Sequence, residues 1–106
     1  MTTGEGVVID DNMKAVLMVR ERNVVSPTAF VEIVIWKVPV PVPASEHDFK
    51  YRLAFVMNGE CIIRYDNEAG KGDHKHIDGG EVSYTFISME QLIVDFMDDV
   101  ESRMEA

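Results

Sequence analysis

The chain has 106 residues, of which 46% are apolar and 27% charged, the size and balance of one ordinary globular domain. Its single cysteine, Cys61, excludes an intramolecular disulfide and any multi-cysteine zinc module. Ten Lys and Arg against 19 Asp and Glu give a net charge of −9, which speaks against an open, non-specific nucleic-acid binder, because phosphate binding needs clustered positive charge. The acidity is uneven, however. Residues 1–53 carry six basic and seven acidic side chains, residues 54–106 four and twelve, and six of those twelve fall between Ser88 and Ala106. No apolar run approaches the roughly 20 residues of a membrane helix, and Met1 to Glu5 lack the basic and apolar regions of a signal peptide. The expectation is a single cytoplasmic domain over 1–106, with residues 1–12 flexible and no membrane contact.

Met13 to Arg22 reads as a strand, followed by a turn within Asn23 to Thr28. Ala29 to Val38 is the most β-rich run, with Val31, Ile33 and Ile35 alternating with Phe30, Val34 and Trp36, as suits a central strand. Three prolines, Pro39, Pro41 and Pro43, then make 38–48 a stiff connector. Asn58-Gly59, between Tyr51–Met57 and Glu60–Asn67, is the strongest hairpin signal, because both residues suit the positive-φ positions of a type I′ turn. A regular register from that turn places Tyr65 opposite Arg52 on one face, with Asp66 and Arg64 on the other. Cys61 then falls among Ala54, Val56 and Ile63 as a buried, inert thiol. Glu81 to Ile87 reads as a further strand.

Ser88 begins a helix as N-cap, with Gln91 in the capping-box position and Ile87 and Leu92 at the staple positions. Met89, Leu92, Ile93, Phe96, Met97, Val100 and Met104 form one apolar stripe at helical spacing, suited to covering a sheet. The fold class is therefore α+β: a mostly antiparallel sheet of four to six strands with one C-terminal amphipathic helix packed on one face.

Chemistry-bearing residues concentrate between Arg64 and His76. In an extended segment His74 and His76, two residues apart, project from the same side. Two uses follow for such a pair. Imidazoles with an ordinary pKa of about 6.5 can take and give protons near neutral pH. Alternatively they can ligate a divalent metal, with Asp66, Glu68 or Asp73 as third ligand. Lys71, between two glycines, lacks the remainder of a P-loop but can neutralise a phosphate. His47, beside the proline segment, reads as a surface histidine.

Arg64-Tyr65-Asp66-Asn67-Glu68 followed by Gly70-Lys71-Gly72-Asp73-His74-Lys75-His76 resembles the signature of the TumE-type toxins of prokaryotic toxin–antitoxin systems. Glu32 to Trp36, Lys50 to Leu53, Tyr84 to Phe86 and Ser88 to Phe96 fit the same family, so the resemblance spans roughly residues 13–102. It implies a small growth-inhibiting protein neutralised by an antitoxin from the adjacent gene, often of helix-turn-helix type. Carried over by motif, the residues to watch are Tyr65, Asp66, Asn67, Lys71, His74 and His76.

Three readings stand side by side. In the first, the chain is the toxin of a type II pair and acts on RNA without a cofactor. Tyr65, Asp66, Lys71, His74 and His76 then form a catalytic group, and Arg52, Arg64 and Asn67 bind substrate. Such cleavage needs a base for the 2′-hydroxyl, an acid for the leaving oxygen and cations for the phosphate. In the second, His74, His76 and Asp66 hold a metal. In the third, the chain is a non-catalytic binding module, and its acidity steers a basic partner to it. A sheet edge beside the apolar strand suits either an antitoxin segment or a second copy, giving a homodimer.

Overall fold

The structure is a computed structural model and describes residues 8–10 and 13–104. The expectation of flexibility at 1–12 falls largely on residues outside those described. Strands β1 (Val8–Asp10) and β2 (Met13–Lys14) pair with each other as a small ribbon. Then follow β3 (Val16–Ser26), β4 (Ala29–Lys37), β5 (Phe49–Met57), β6 (Glu60–Glu68), β7 (Gly72–Ile77), β8 (Gly80–Ser83) and helix α1 (Met89–Met104). Strands β3 to β8 form one antiparallel sheet in chain order, so every connection joins neighbours. No helix among the described residues is long and apolar enough to cross a membrane.

Two turns are set by residues that accept positive φ. Asn58 and Gly59, at φ 54° and 81°, close the hairpin of β5 and β6. Asp78 and Gly79, at 53° and 83°, repeat the same chemistry between β7 and β8. Strand β3 extends past the turn expected from Asn23, because β-branched Val24 and Val25 continue the ladder and only Pro27-Thr28 turns. The proline segment is a closed connector. Val38 N–H donates to the Asp48 carbonyl (2.8 Å), and Gly70 N–H donates to the Pro43 carbonyl (2.9 Å), tying the segment to the β6–β7 turn.

The expected strand from Glu81 to Ile87 ends at Ser83. Beyond it Tyr84 and Phe86 turn away to meet the helix and His47: the Tyr84 hydroxyl donates to Asp95 (2.6 Å), and the Phe86 ring stacks 3.8 Å from His47.

The register of β5 with β6 departs from a regular hairpin. Met57 opposes Glu60 and Val56 opposes Cys61, but Phe55 opposes Ile63, so a bulge absorbs Ile62. Each residue beyond the bulge changes face relative to the regular register. Tyr65 therefore opposes Leu53 rather than Arg52, and Asp66 opposes Arg52. Cys61 is exposed beside the hairpin turn, not buried.

Helix α1 lies against β5 and β6. Its Leu92, Phe96 and Val100 are fully buried with Val31, Ile35, Leu53, Phe55, Ile63 and Tyr65. Ser88 caps it, accepting from Gln91 N–H at 3.0 Å. The Gln91 side chain donates to Asp95 (2.8 Å) instead of returning to Ser88, and Ile87 is exposed, so neither the reciprocal box nor the staple forms. The other sheet face carries Phe30, Val34 and Trp36 half-buried, with no described helix over it.

Phe96 meets Tyr65 edge to face at 5.6 Å and is wholly enclosed. Phe96→Ala is expected to lower unfolding free energy by about 3–5 kcal/mol, read from urea denaturation followed by far-UV circular dichroism.

Candidate functional site on the uncovered sheet face

Strand parity sorts the residues from Arg64 to His76 into two groups. On the uncovered face the ladder places Arg52 beside Asp66, Asp66 beside His74, Arg64 beside His76, and His76 beside Glu81. Across the same face run Arg20 and Arg22 of β3 and Lys50 of β5, opposite Val34, Glu32 and Trp36 respectively. Lys71 reaches in from the turn, its Nζ 3.0 Å from Glu81 Oε2. Six of the ten Lys and Arg thus gather here, namely Arg20, Arg22, Lys50, Arg52, Arg64 and Lys71. The acidic helix lies on the opposite side of the sheet.

At the centre, His74 Nε2 lies 2.7 Å from Asp66 Oδ1 and 3.4 Å from Glu81 Oε2. His76 Nε2 lies 3.8 Å from the same Glu81 oxygen, and Arg64 Nε 3.0 Å from Asp66 Oδ2. These are close charge contacts with poor alignment. Arg64 Nε, Asp66 Oδ1, His74 Nε2 and His76 Nε2 are all buried without a well-directed hydrogen bond among the described residues. The side chain of His74 is only 5% exposed and that of His76 30%, so His76 is the member that solvent reaches. The hydrogen bond between Lys71 and Glu81 holds the Glu81 carboxyl below its ordinary range and the Lys71 ammonium above its own.

Tyr65 and Asn67 occupy the other face. The Tyr65 hydroxyl donates to Asp99 of α1, which also accepts from Lys75 Nζ at 3.2 Å. Asn67 is buried: its Oδ1 accepts from Tyr51 N–H (2.9 Å), and its Nδ2 donates to the Phe49 carbonyl (2.7 Å) and to Ser45 Oγ (3.2 Å). Neither shares the surface of Asp66, Lys71, His74 and His76. Strand alternation divides the set, and the bulge at Ile62 decides that Tyr65 and Asn67 are the members beneath the helix.

Asp73 is likewise a structural anchor. It accepts from Ser45 Oγ (2.6 Å), Tyr51 hydroxyl (2.8 Å) and His47 Nε2 (2.6 Å). His47 Nδ1 accepts from Phe49 N–H (3.1 Å), so its ring proton sits on Nε2 and points at Asp73. His47 is thus a clamp on the proline connector, not the surface histidine expected. Glu81, absent from the expected site residues, enters because the hairpin at Asp78-Gly79 folds β8 back onto β7. The Asp-Gly pair carried that signal in the sequence.

A protein-family model described as Toxin TumE matches residues 6–104, nearly the whole chain. The chain belongs to this toxin family. Comparison with curated proteins gives no match, and comparison with solved structures gives none. For this TumE-family chain, the motif from Arg64 to His76 resolves into a half on the uncovered sheet face, Arg64, Asp66, Lys71, His74 and His76, and a structural half, Tyr65, Asn67 and Asp73.

All three tyrosines, Tyr51, Tyr65 and Tyr84, have phenol pKa values raised well above 10, by burial first and then by hydrogen bonds to Asp73, Asp99 and Asp95 respectively. Between the unfolded value of about 10 and the raised folded values, the folded chain holds more protons than the unfolded one, so stability falls as pH rises. Absorbance at 295 nm should show no phenolate in the folded protein near pH 10. Ionisation should instead coincide with loss of the circular dichroism signal at higher pH.

Proposed function

We propose that the chain is the toxin of a type II toxin–antitoxin pair acting in the cytoplasm on RNA across the uncovered sheet face. The observation that carries this reading is the distribution of charge: six cations and two histidines share one face with three paired carboxylates, Glu32, Asp66 and Glu81, while α1 holds its acidic side chains on the other. A net charge of −9 does not then oppose phosphate binding at the face itself. Arg52, exposed, and Arg64 bracket Asp66 and suit a phosphate, and Trp36 and Val34 extend the face as an apolar floor for bases. Asp66, His74, His76 and Glu81 form the proton-handling centre. The 2′-hydroxyl proton passes to this centre as the oxygen attacks phosphorus, and a proton returns to the departing 5′-oxygen, leaving a 2′,3′-cyclic phosphate and a 5′-hydroxyl.

The antitoxin docks elsewhere in this reading. Strand β3 pairs with β4 on one side only, and Val16, Leu17, Met18 and Val24 are exposed along it. The apolar run β4 is interior to the sheet, so β3, not β4, is the edge that accepts an antitoxin strand or a second copy.

Induced expression of the wild type should arrest growth and degrade cellular RNA. Arg52→Glu/Arg64→Glu and His74→Ala/His76→Ala should each restore growth, with RNA cleavage by purified protein reduced about 10²-fold or more for the histidine pair. Glu90→Lys/Asp98→Lys, on the exposed helix face, should leave both readouts unchanged. Undiminished arrest by the histidine variant would favour the binding-module reading instead.

A further inference from the structure

We propose that His74 Nε2, His76 Nε2 and Glu81 Oε2, with Asp66 Oδ1 beside them, form a binding site for a divalent transition-metal ion. Its geometry stands independently of the RNA reading; on that reading, an ion held there would supply a bound water as the base in place of the ligating side chains.

The proton of His74 has a fixed place on the ring. Its Nδ1 lies 2.9 Å from the Gly72 carbonyl, which can only accept, so Nδ1 carries a hydrogen. In the singly protonated ring the Nε2 lone pair therefore points inward, in an environment where the side chain is 5% exposed. What it meets is two carboxylate oxygens, Asp66 Oδ1 at 2.7 Å and Glu81 Oε2 at 3.4 Å. Three acceptors facing one another repel unless something positive lies between them. Neither His74 Nε2 nor Asp66 Oδ1 has a well-directed hydrogen bond among the described residues. A cation answers it for all of them at once.

The donor atoms of His74, His76 and Glu81 lie within 4.8 Å of one another. A tetrahedral ion with ligands at about 2.0–2.1 Å needs ligand atoms about 3.3 Å apart. The separations of 3.4 and 3.8 Å from Glu81 Oε2 to the two imidazoles approach that value. Two imidazoles and a carboxylate suit zinc, nickel or iron rather than magnesium, which prefers an all-oxygen shell. The Gly72 carbonyl supplies the outer hydrogen bond by which a ligating histidine is usually oriented. The rings of His74 and His76 stand 5.2 Å apart and tilted at 76°, so both present nitrogen to the same space without stacking. Lys71 now occupies the Glu81 oxygen at 3.0 Å and is the ion's competitor; exposed and next to Glu68, it can move aside.

The test is isothermal titration of purified, chelator-treated protein with Zn²⁺, in a Cys61→Ser background so that the exposed thiol is not a ligand, followed by visible absorption with Co²⁺. One ion per chain is expected, with tetrahedral Co²⁺ bands and no competition from Mg²⁺. His76→Ala and Glu81→Gln should each weaken binding at least about tenfold, and Lys71→Gln should not weaken it. Glu81 is exposed, so the Glu81→Gln variant keeps the test valid if a histidine variant fails to fold. Zn²⁺ binding that is absent, or as tight in Glu81→Gln and His76→Ala as in the parent Cys61→Ser protein, overturns the site. Because no RNA is present, that failure leaves the RNA reading standing. Conversely, a metal-binding protein that leaves RNA intact would sink the RNA reading alone.

Discussion

Parity along β6 and β7 decides which polar groups can meet. Side chains alternate between faces of a strand, so one extra residue before Arg64 exchanges the two faces relative to β5 for everything that follows. The bulge at Ile62 is that residue. It turns Ile63 and Tyr65 under α1, where both are fully enclosed, and leaves Arg64, Asp66, His74 and His76 on the uncovered side. Without it Arg64 and Asp66 would face the apolar helix stripe. Burying two charged groups against Leu92 and Phe96 would cost far more than a local kink.

The same division separates the charge. Asp95 and Asp99 are occupied by tyrosines and Lys75 beneath the helix, while Glu90, Asp98 and Glu101 face solvent. The uncovered face keeps Arg64 one strand spacing and Arg52 two strand spacings from the histidines. A strongly acidic chain can in this way present a locally basic surface, because fields beyond the Debye length of about 8–10 Å are largely screened.

Much of the fold was legible in the sequence. Asn58-Gly59, the alternation of Val31, Ile33 and Ile35, and the stripe from Leu92 to Val100 each carry a periodicity or turn chemistry that local rules recover. The site was half legible. His74 and His76 shared a face as their spacing required, and β7 is the extended segment that rule assumed. Tyr65 was misplaced because a bulge has no reliable signature in an apolar run such as Cys61-Ile62-Ile63. His47 and Asp73 were misjudged because their partners, Ser45, Tyr51 and Phe86, come together only through the tertiary path of the proline connector. Glu81 needed the Asp78-Gly79 hairpin to be read first.

The central claim is that function resides on the uncovered face while the helix side is structural. Nuclear magnetic resonance of the ¹⁵N-labelled His74→Ala/His76→Ala variant, titrated with a short single-stranded RNA, tests it directly. The account predicts shift changes centred on Trp36, Arg52, Arg64 and Asp66, diminishing with salt as phosphate contacts require. Changes centred instead on Tyr65, Lys75, Tyr84 and Asp99, with Arg52 and Arg64 unmoved, would contradict it.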